Sequence, residues 1–205
     1  MLENRMDYTH GTLDETQMLE DSIAQLRVWL GDARDQIEPN AMTLCTVAAN
    51  GKPSSRVVLL RGLSEGGLTF YTNYESRKGV EIAATSAACL SFWWAALERQ
   101  VRIEGSIAKV STEESDAYFN SRPLESQLAS AASPQSQVVT RAQLEARVEA
   151  LRAAHPVSVP RPAHWGGYVV TPEYMEFWQG RKARLHDRIA YTLQDKVWQR
   201  SRLAP

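Results

Sequence analysis

The chain has 205 residues, 43% of them hydrophobic and 23% charged, with a formal net charge of −1 at pH 7. These values are typical of a globular protein that buries its own core, and they exclude the strongly basic class of nucleic-acid-binding domains. The longest uncharged run, residues 82–97, is too short to predict a membrane span.

The first helix is predicted between Thr12 and Pro39. Thr12 and Glu15 form a capping-box pattern, and apolar residues then recur at spacings of three and four, at positions 19, 23, 26, 30, 33 and 37. This pattern predicts an amphipathic helix with an acidic outer face. We expect residues 1–40 to form an N-terminal arm with this helix, ahead of a single domain over residues 41–205.

Residues 42–110 have the pattern of short strands joined by tight turns. Asn50-Gly51 is a strong hairpin signal between predicted strands at 42–49 and 54–61, and further strands are predicted at 68–72, 88–95 and 99–110. Ser76 is a suitable N-cap for a short helix that ends near residue 86. These β segments predict a closed or nearly closed antiparallel barrel of Greek-key type.

Helices return after the barrel strands, at residues 112–121, 123–131 and 141–154, and form a predicted insertion over about 112–154. Prolines at 156, 160 and 162 predict an extended connector. Trp165-Gly-Gly167 opens a last set of strands. The predicted fold is therefore mainly β with flanking helices, in the α+β class.

The two cysteines and the N-terminal sequence indicate the cellular compartment of the protein. Cys45 and Cys89 lie far apart in apolar segments, which predicts buried thiols and neither a metal site nor a redox pair. The N-terminus has no apolar core of the signal-peptide type. We therefore interpret the protein as cytoplasmic, with no membrane or nucleic-acid partner.

Several standard catalytic signatures do not occur in the sequence. It contains no GxGxxG, no Walker loop and no HExxH. Rossmann dehydrogenases, P-loop enzymes and zinc hydrolases are therefore excluded. Basic residues near the ends of predicted elements remain as candidates for a functional site.

The first candidates follow the Asn-Gly hairpin. Arg56 and Arg61 bracket a strand that we expect to be buried, and their odd spacing places them on opposite faces unless a bulge intervenes. One strand could then serve two sites, or one site and a neighbouring subunit. Ser76-Arg77-Lys78 opens the short helix, and cations beside free helix N–H groups predict a phosphate site.

Two further groups are polar. Gln100 and Arg102 share a strand face, where a glutamine amide could pair with a heteroaromatic ring or belong to an ordinary surface. Tyr118, Arg122 and Ser126 recur every four residues, although a proline at position 123 makes their alignment on one helix approximate. They suit either a phosphate site or a polar helix flank.

The last third of the chain is basic, since residues 181–205 hold seven lysines and arginines and two aspartates. Within it Arg184, His186 and Arg188 alternate with other residues, so an extended strand would place all three on one face, beside the aromatic pair at 177–178. This arrangement would suit a planar anionic ligand. The alternative is a solvated, basic edge strand.

Nine motifs occur in order over about residues 40–205: RVVLLR (56–61), FYTNYESRK (70–78), ERQVR (98–102), YFNSRP (118–123), SQ (126–127), QS (135–136), WGGY (165–168), EFWQGRKARLHDR (176–188) and RLAP (202–205). Together they resemble the motifs of the pyridoxamine 5′-phosphate oxidase family. The resemblance implies an FMN-binding split β-barrel that works as a homodimer with the flavin at the subunit interface.

The activity that the resemblance implies is oxidation of pyridoxamine 5′-phosphate and pyridoxine 5′-phosphate to pyridoxal 5′-phosphate, in vitamin B6 biosynthesis and salvage. Oxygen is the implied electron acceptor, with release of hydrogen peroxide, and of ammonia from the amine. Two alternatives stay open. The chain could be a flavin oxidase of the same fold that acts on another aromatic, as in phenazine pathways, or a non-catalytic flavin- or pyridoxal-phosphate-binding protein.

The resemblance also implies roles for particular residues. Substrate contacts are implied for Arg61, Tyr118, Arg122, Ser126, Arg184 and His186, of which Arg184 and His186 would orient the substrate without acting as covalent nucleophiles. No metal is implied. FMN contacts are implied for Arg56, Val57, Val58, Leu59, Tyr71, Thr72, Arg77, Lys78, Gln100, Gln135, Ser136, Trp178 and Arg188.

The sequence departs from the family pattern in two places. Position 61 is arginine where the family usually has lysine, which keeps the charge but changes the donor geometry. Residues 128–132 replace a stretch that usually contains glycine and tryptophan, with Ala131 at the tryptophan position. The packing around Gln135-Ser136 therefore cannot be inferred from the resemblance.

Overall fold

The computed structural model of the chain describes residues 7–205. The described part contains five α-helices: α1 (Ser22–Asp32), α2 (Arg77–Thr85), α3 (Thr112–Ser121), α4 (Leu124–Ala132) and α5 (Arg141–Ala154). It also contains nine strands: β1 (Ala41–Val47), β2 (Pro53–Leu59), β3 (Gly62–Ser64), β4 (Gly67–Asn73), β5 (Ala87–Trp94), β6 (Arg99–Lys109), β7 (Trp165–Gln179), β8 (Asp187–Gln194) and β9 (Val197–Arg202).

All strand pairs are antiparallel and belong to one sheet with the order β2-β1-β5-β6-β7-β4-β3. The two ends of this order, β2 and β3, are joined by only two residues, so the sheet must curl to bring them together. On the side away from β6, the long strand β7 pairs first with β4 and then with β8, which in turn pairs with β9. The predicted mainly β fold with a curled antiparallel sheet and flanking helices is confirmed.

The core lies on the inner face of the curled sheet. Val101, Phe177 and Ile189 face one another across β6, β7 and β8 and have no exposed surface. Helix α1 covers part of this core with Leu26 and Trp29, which are 0% and 3% exposed. Burial of side chains of this size supplies the main stabilisation of the fold.

The prediction for the first helix is wrong at both ends. The helix begins after Asp21, whose side chain accepts a hydrogen bond from Ala24 N at 2.6 Å, and Thr12 caps nothing. It ends at Asp32, and the side chain of Ile37 is 97% exposed. Tertiary contacts decide this start, because Leu13 N donates to the distant carboxylate of Asp187 and holds the preceding segment out of a helix.

The predictions based on local signals agree with the structure. Residues 48–52 form the turn between β1 and β2, where Gly51 has φ +81° as the Asn-Gly pattern requires. Ser76 is the N-cap of α2 and its hydroxyl accepts from Gly79 N. Helices α3, α4 and α5 lie within one residue of their predicted bounds, and residues 155–164 form the predicted connector.

The predicted extended strand through residues 184–188 is wrong in its first half. Gln179 pairs with Asp187 in register, so residues 180–186 are the loop that reverses the chain between β7 and β8. Residues 182–184 form a tight turn in which Ala183 and Arg184 have left-handed backbone angles, with φ of +54° and +62°. Arg184 therefore does not share a strand face with Arg188.

The prediction of opposite faces for Arg56 and Arg61 is also wrong. Strand β2 ends at Leu59, and Arg61 N donates to Thr69 O of β4, so the chain changes its pairing partner between the two arginines. The alternation rule applies only within a regular strand. The strand between them is not buried either, since Val57 is 67% exposed.

Candidate functional site

A cavity of about 570 Å³ lies between β2, the end of β4, the start of α2 and the segment from α3 to residue 136. Its volume is in the range of pockets that hold a cofactor or a small-molecule ligand. Its lining includes thirteen of the predicted site residues: Arg56, Val57, Val58, Leu59, Arg61, Tyr71, Thr72, Arg77, Lys78, Tyr118, Arg122, Gln135 and Ser136. We call these residues the cavity group.

One end of the cavity is built on the N-terminus of α2. Lys78 is 8% exposed, and its ammonium donates to Ser76 Oγ at 3.2 Å and Gln135 Oε1 at 3.1 Å. Burial, followed by the charge of Arg56, lowers the pKa of Lys78 to about 8. Arg77 N donates to Ser136 Oγ at 3.1 Å, which fastens the 134–136 segment to the helix start.

A buried carboxylate that the sequence analysis missed organises this end. Glu81, 4% exposed, accepts hydrogen bonds from Ser54 Oγ at 2.6 Å and Arg77 Nε at 2.8 Å, with Arg56 Nη2 at 3.4 Å. Burial alone would raise the pKa of Glu81, but the hydrogen bonds outweigh it and lower the pKa to about 2. The spacing of four residues between Arg77 and Glu81 was the only local signal in the sequence for their ion pair.

The formal charges at this end leave a positive balance. Arg56, Arg77 and Lys78 carry three positive charges and Glu81 one negative charge, which leaves +2. A phosphate monoester carries about −1.5 to −2 at neutral pH. Because Glu81 holds both guanidiniums in place, the site is charged and ordered before any ligand binds.

The other end of the cavity is aromatic and basic. Tyr118 stacks on Tyr71 with ring centroids 3.7 Å apart, and the Trp165 ring lies nearly parallel to both, 5.7 Å from the Tyr71 centroid and 6.2 Å from the Tyr118 centroid. The Arg122 guanidinium lies 4.7 Å from the Trp165 ring centroid. Burial, and a smaller effect of the Arg61 charge, lower the pKa of Arg122.

Neither Arg61 nor Arg122 forms an ion pair with a carboxylate within residues 7–205. Two neighbouring guanidiniums without a counter-ion form a second anion site at this end. The Tyr71 hydroxyl at this end donates to Glu114 Oε1 at 3.3 Å, and burial and then the Glu114 carboxylate raise the pKa of Tyr71 to about 12.

Ser126 is not among the cavity-lining residues. The helix line predicted through residues 118, 122 and 126 is broken, since α3 ends at Ser121 and α4 begins at Leu124 with Pro123 as its N-cap. Arg122 instead donates to Ser130 Oγ at 2.8 Å, a contact that the sequence analysis missed. Ala131 packs against the small core around Phe119 and Trp165.

The remaining predicted residues form a separate cluster, the C-terminal group: Gln100, Trp178, Arg184, His186 and Arg188. Gln100, Trp178 and Arg188 stand in one register row across β6, β7 and β8. Their neighbours in each strand point into the core, so this row faces outward. None of the five lines the cavity of the same chain.

Contacts within the C-terminal group are well defined. Arg188 donates to the buried Glu176 from Nε at 2.8 Å and Nη2 at 3.0 Å, and Trp178 lies 4.6 Å from His186 between ring centroids. Arg181 N donates to His186 Nδ1 at 3.1 Å, so the neutral imidazole carries its proton on Nε2. Burial, and then the charge of Arg184, lower the pKa of His186.

The sequence analysis missed two residues of this cluster. Glu176 was part of a motif but had no predicted role, and Tyr8 packs edge-on against Trp178 and His186 with centroid distances of 5.6 and 5.7 Å. Tyr8 lies in a segment without a recognisable pattern, and its contact spans most of the chain. No local signal could have indicated it.

Comparison with known families gives two matches. A model described as pyridoxamine 5′-phosphate oxidase matches residues 31–155, and a model described as the pyridoxine 5′-phosphate oxidase C-terminal dimerisation region matches residues 165–205. No helix among residues 7–205 is long and apolar enough to cross a membrane.

Curated relatives match over the whole chain. A pyridoxine/pyridoxamine 5′-phosphate oxidase of Thermosynechococcus vestitus is 54% identical, over 98% of this chain and 97% of the relative. The protein of the same name from Chromobacterium violaceum is 51% identical, over 98% of this chain and 96% of the relative.

Solved structures share the fold. PhzG from Burkholderia lata 383, in complex with tetrahydrophenazine-1-carboxylic acid, has a TM-score of 0.89 and 32% identity, covering 95% of this chain and 98% of that one. A pyridoxamine 5′-phosphate oxidase-related, FMN-binding protein from Nostoc punctiforme has a TM-score of 0.71 at 18% identity, with 94% and 98% coverage. At that identity the second likeness concerns the fold alone.

Proposed function

Because the chain belongs to the pyridoxamine 5′-phosphate oxidase family, we propose that it is an FMN-dependent oxidase that converts pyridoxamine 5′-phosphate and pyridoxine 5′-phosphate to pyridoxal 5′-phosphate. Oxygen accepts the electrons and hydrogen peroxide is released, with ammonia as a further product of the amine. The enzyme then serves the biosynthesis and salvage of the active form of vitamin B6.

One observation carries this proposal: a single cavity contains two separate anion sites. The flavin and the substrate each carry one phosphate, so an enzyme that binds both needs two such sites in one cavity. The α2 end holds three cations and one carboxylate, and the Arg61–Arg122 end holds two cations. Stacked tyrosines between them offer a flat apolar wall to an aromatic ring.

The residues at the α2 end fit FMN. Their balance of +2 matches a phosphate monoester, and Lys78, Arg77 and Ser136 are arranged to hold it at a helix N-terminus. Arg56 adds charge from β2 and stays fixed by Glu81. When bound, FMN supplies two-electron redox chemistry that no amino-acid side chain provides.

The Arg61–Arg122 end fits the substrate phosphate. Arg122 is fixed over Trp165, and the Tyr118 hydroxyl is a further donor at this end. Binding of the phosphate here fixes the distance between the substrate ring and the flavin, which is how an enzyme converts binding energy into orientation. A contact from Ser126 remains a prediction.

The enzyme is a homodimer, in keeping with the dimerisation region matched at residues 165–205. We propose that each cavity is completed by the C-terminal group of the other subunit, because that group faces outward and does not line its own cavity. Gln100, Trp178 and Arg188 of the second subunit would then contact FMN. Arg184 and His186 would orient the substrate, with the His186 Nε2 proton available as a hydrogen-bond donor.

The main alternative is a flavin oxidase of the same fold that acts on another aromatic, with the tetrahydrophenazine-1-carboxylic acid of the PhzG complex as the model ligand. A carboxylate carries one negative charge, whereas the Arg61–Arg122 pair offers two cations to one ligand. The identities of 50–54% to the named oxidases, against 32% to PhzG, support the phosphorylated substrates.

Anaerobic mixing of the holoenzyme with each candidate substrate tests the proposal. Pyridoxine 5′-phosphate should bleach the visible absorbance of the bound flavin within one turnover, and admitted oxygen should restore it with one peroxide per pyridoxal 5′-phosphate. Bleaching by tetrahydrophenazine-1-carboxylic acid alone would favour the phenazine-type oxidase. A flavin that no substrate bleaches would indicate a binding protein.

We also propose that the enzyme works in the cytoplasm. Cys45 and Cys89 are partners in register on β1 and β5, and both are free thiols. Two facing cysteines that form no disulfide bond fit a reducing compartment. Fractionation of cells that produce the tagged protein, with the activity followed in each fraction, would test this location.

A further inference from the structure

A second, smaller cavity of about 310 Å³ adjoins the main one behind Arg122. The two cavities share Arg122 and Trp165 in their linings, together with Tyr71, Thr72 and Gln135. The separate wall of the smaller cavity comes from Ala129, Ser130 and Ser133, at the end of α4. We call this smaller cavity the annex.

Arg122 stands between the two cavities and is held from three directions. Its backbone carbonyl accepts from Gln127 Nε2 at 2.9 Å, and its guanidinium lies over the rings of Trp165 and Phe119 at 4.7 and 5.8 Å. The third contact is the hydrogen bond from Nη1 to Ser130 Oγ at 2.8 Å. Within residues 7–205, this is the one hydrogen bond that the Arg122 side chain makes.

These contacts fix different degrees of freedom. Stacking on an aromatic ring sets the plane of a guanidinium but leaves it free to slide and turn within that plane. A hydrogen bond from one terminal nitrogen fixes the rotation of the guanidinium within its own plane. It uses one of five N–H donors and leaves four for a ligand.

We propose that Ser130 is a positioning residue for the substrate phosphate, because its hydroxyl orients the Arg122 guanidinium for binding. The inference rests on the proposed function, in which Arg122 contacts that phosphate. Ser130 lies in the 128–132 segment, where the sequence departs from the family pattern. Ser130 then affects the affinity for the substrate and does not affect flavin binding or turnover.

The test compares holoenzymes of the wild type, Ser130→Ala, Ser130→Thr and a matched control, Ser133→Ala. Ser133 also lines the annex, but within residues 7–205 only its backbone forms hydrogen bonds: its carbonyl accepts from Asn73 Nδ2 at 3.3 Å, and its N donates to Ala129 O at 3.2 Å. The measurements are KM and kcat for pyridoxine 5′-phosphate, the competitive inhibition constant of inorganic phosphate, flavin content and the melting temperature.

We expect Ser130→Ala to raise KM and the phosphate inhibition constant in parallel, by about three- to tenfold, the net effect of one typical hydrogen bond, with kcat and flavin content unchanged. Ser130→Thr restores both constants, since the annex has room for the added methyl group. Ser133→Ala matches the wild type. A fall in kcat, flavin content and melting temperature without the parallel rise would overturn the proposal in favour of a merely structural role.

Arg122→Gln separates failure of this inference from failure of the proposed function. If Arg122→Gln raises both constants and Ser130→Ala does not, the positioning role is wrong and the phosphate contact of Arg122 stands. If neither variant changes them, the assignment of the substrate phosphate to this end is itself wrong.

Discussion

The buried lysine at the start of α2 should make FMN binding dependent on pH in a way that riboflavin binding is not. Lys78 has a pKa lowered to about 8 in the ligand-free protein, chiefly by burial. A bound phosphate dianion opposes that shift, because an opposite charge nearby favours the protonated amine. Binding above about pH 8 therefore takes up a proton.

The sign and size follow from linkage. Below about pH 8 Lys78 is already charged and its contribution to FMN affinity is constant down to the phosphate pKa near 6. Above it, the affinity falls by up to about tenfold per pH unit, or by up to about 16-fold between pH 8 and about 9.5. Riboflavin has no phosphate, so its affinity should not follow this curve.

Fluorescence-quenching titrations of the apoprotein with FMN and riboflavin, across this pH range, measure the effect. Lys78→Gln should weaken FMN binding by about 10- to 100-fold at pH 7, the loss expected for one charge-assisted hydrogen bond, and should abolish the pH dependence. Lys52→Gln is the matched control, since Lys52 is exposed in the turn between β1 and β2. Parallel curves for FMN and riboflavin, or an unchanged Lys78→Gln, would refute the reasoning.

Three further outcomes are expected. Glu81→Gln should destabilise the apoprotein by about 2 kcal/mol at neutral pH, because it leaves two arginines without their partner. The pKa of Glu81 is lowered to about 2, so its stabilising effect is fully present at pH values above the ordinary glutamate pKa and is lost as the pH falls towards 2. Thermal unfolding at several pH values would detect this loss. Arg61→Lys should change KM for pyridoxine 5′-phosphate little and Arg61→Ala should raise it about tenfold or more; equal values for the two would remove Arg61 from the phosphate site. Arg188→Ala should lower flavin content, whereas Arg184→Ala should slow single-turnover flavin reduction with flavin still bound, and the reverse pattern would exchange their roles.

The parts of the fold that the sequence predicted correctly depend on local interactions. Helix α5 and the Ser76 cap of α2 follow from spacing and capping within a few residues. The first helix was misplaced because long-range contacts hold the segment before it; Arg202, for example, donates to Leu13 O across 189 residues. No periodicity in a single sequence records a contact of that kind.

In the candidate site, too, the predictions failed where long-range contacts decide the structure. Motif resemblance named the cations, but the carboxylates that fix them were missed, since Glu81 reaches Arg56 across 25 residues and Glu176 reaches Arg188 across 12. The alternation rule grouped Arg184 with Arg188, yet the hairpin loop separates them. The division into two groups depends on strand register across the sheet, which residue spacing alone does not give.

The central claim is that each active site combines the cavity group of one subunit with the C-terminal group of the other. Subunit mixing tests it with two inactive variants, Arg122→Ala and His186→Ala. If the groups act across the interface, a mixed dimer has one site with both changes and one intact site. An equal mixture that has exchanged subunits should then recover about one quarter of wild-type activity, because about half of the dimers are mixed. If both groups act within one chain, every site carries one change and the mixture stays inactive, which would contradict the account.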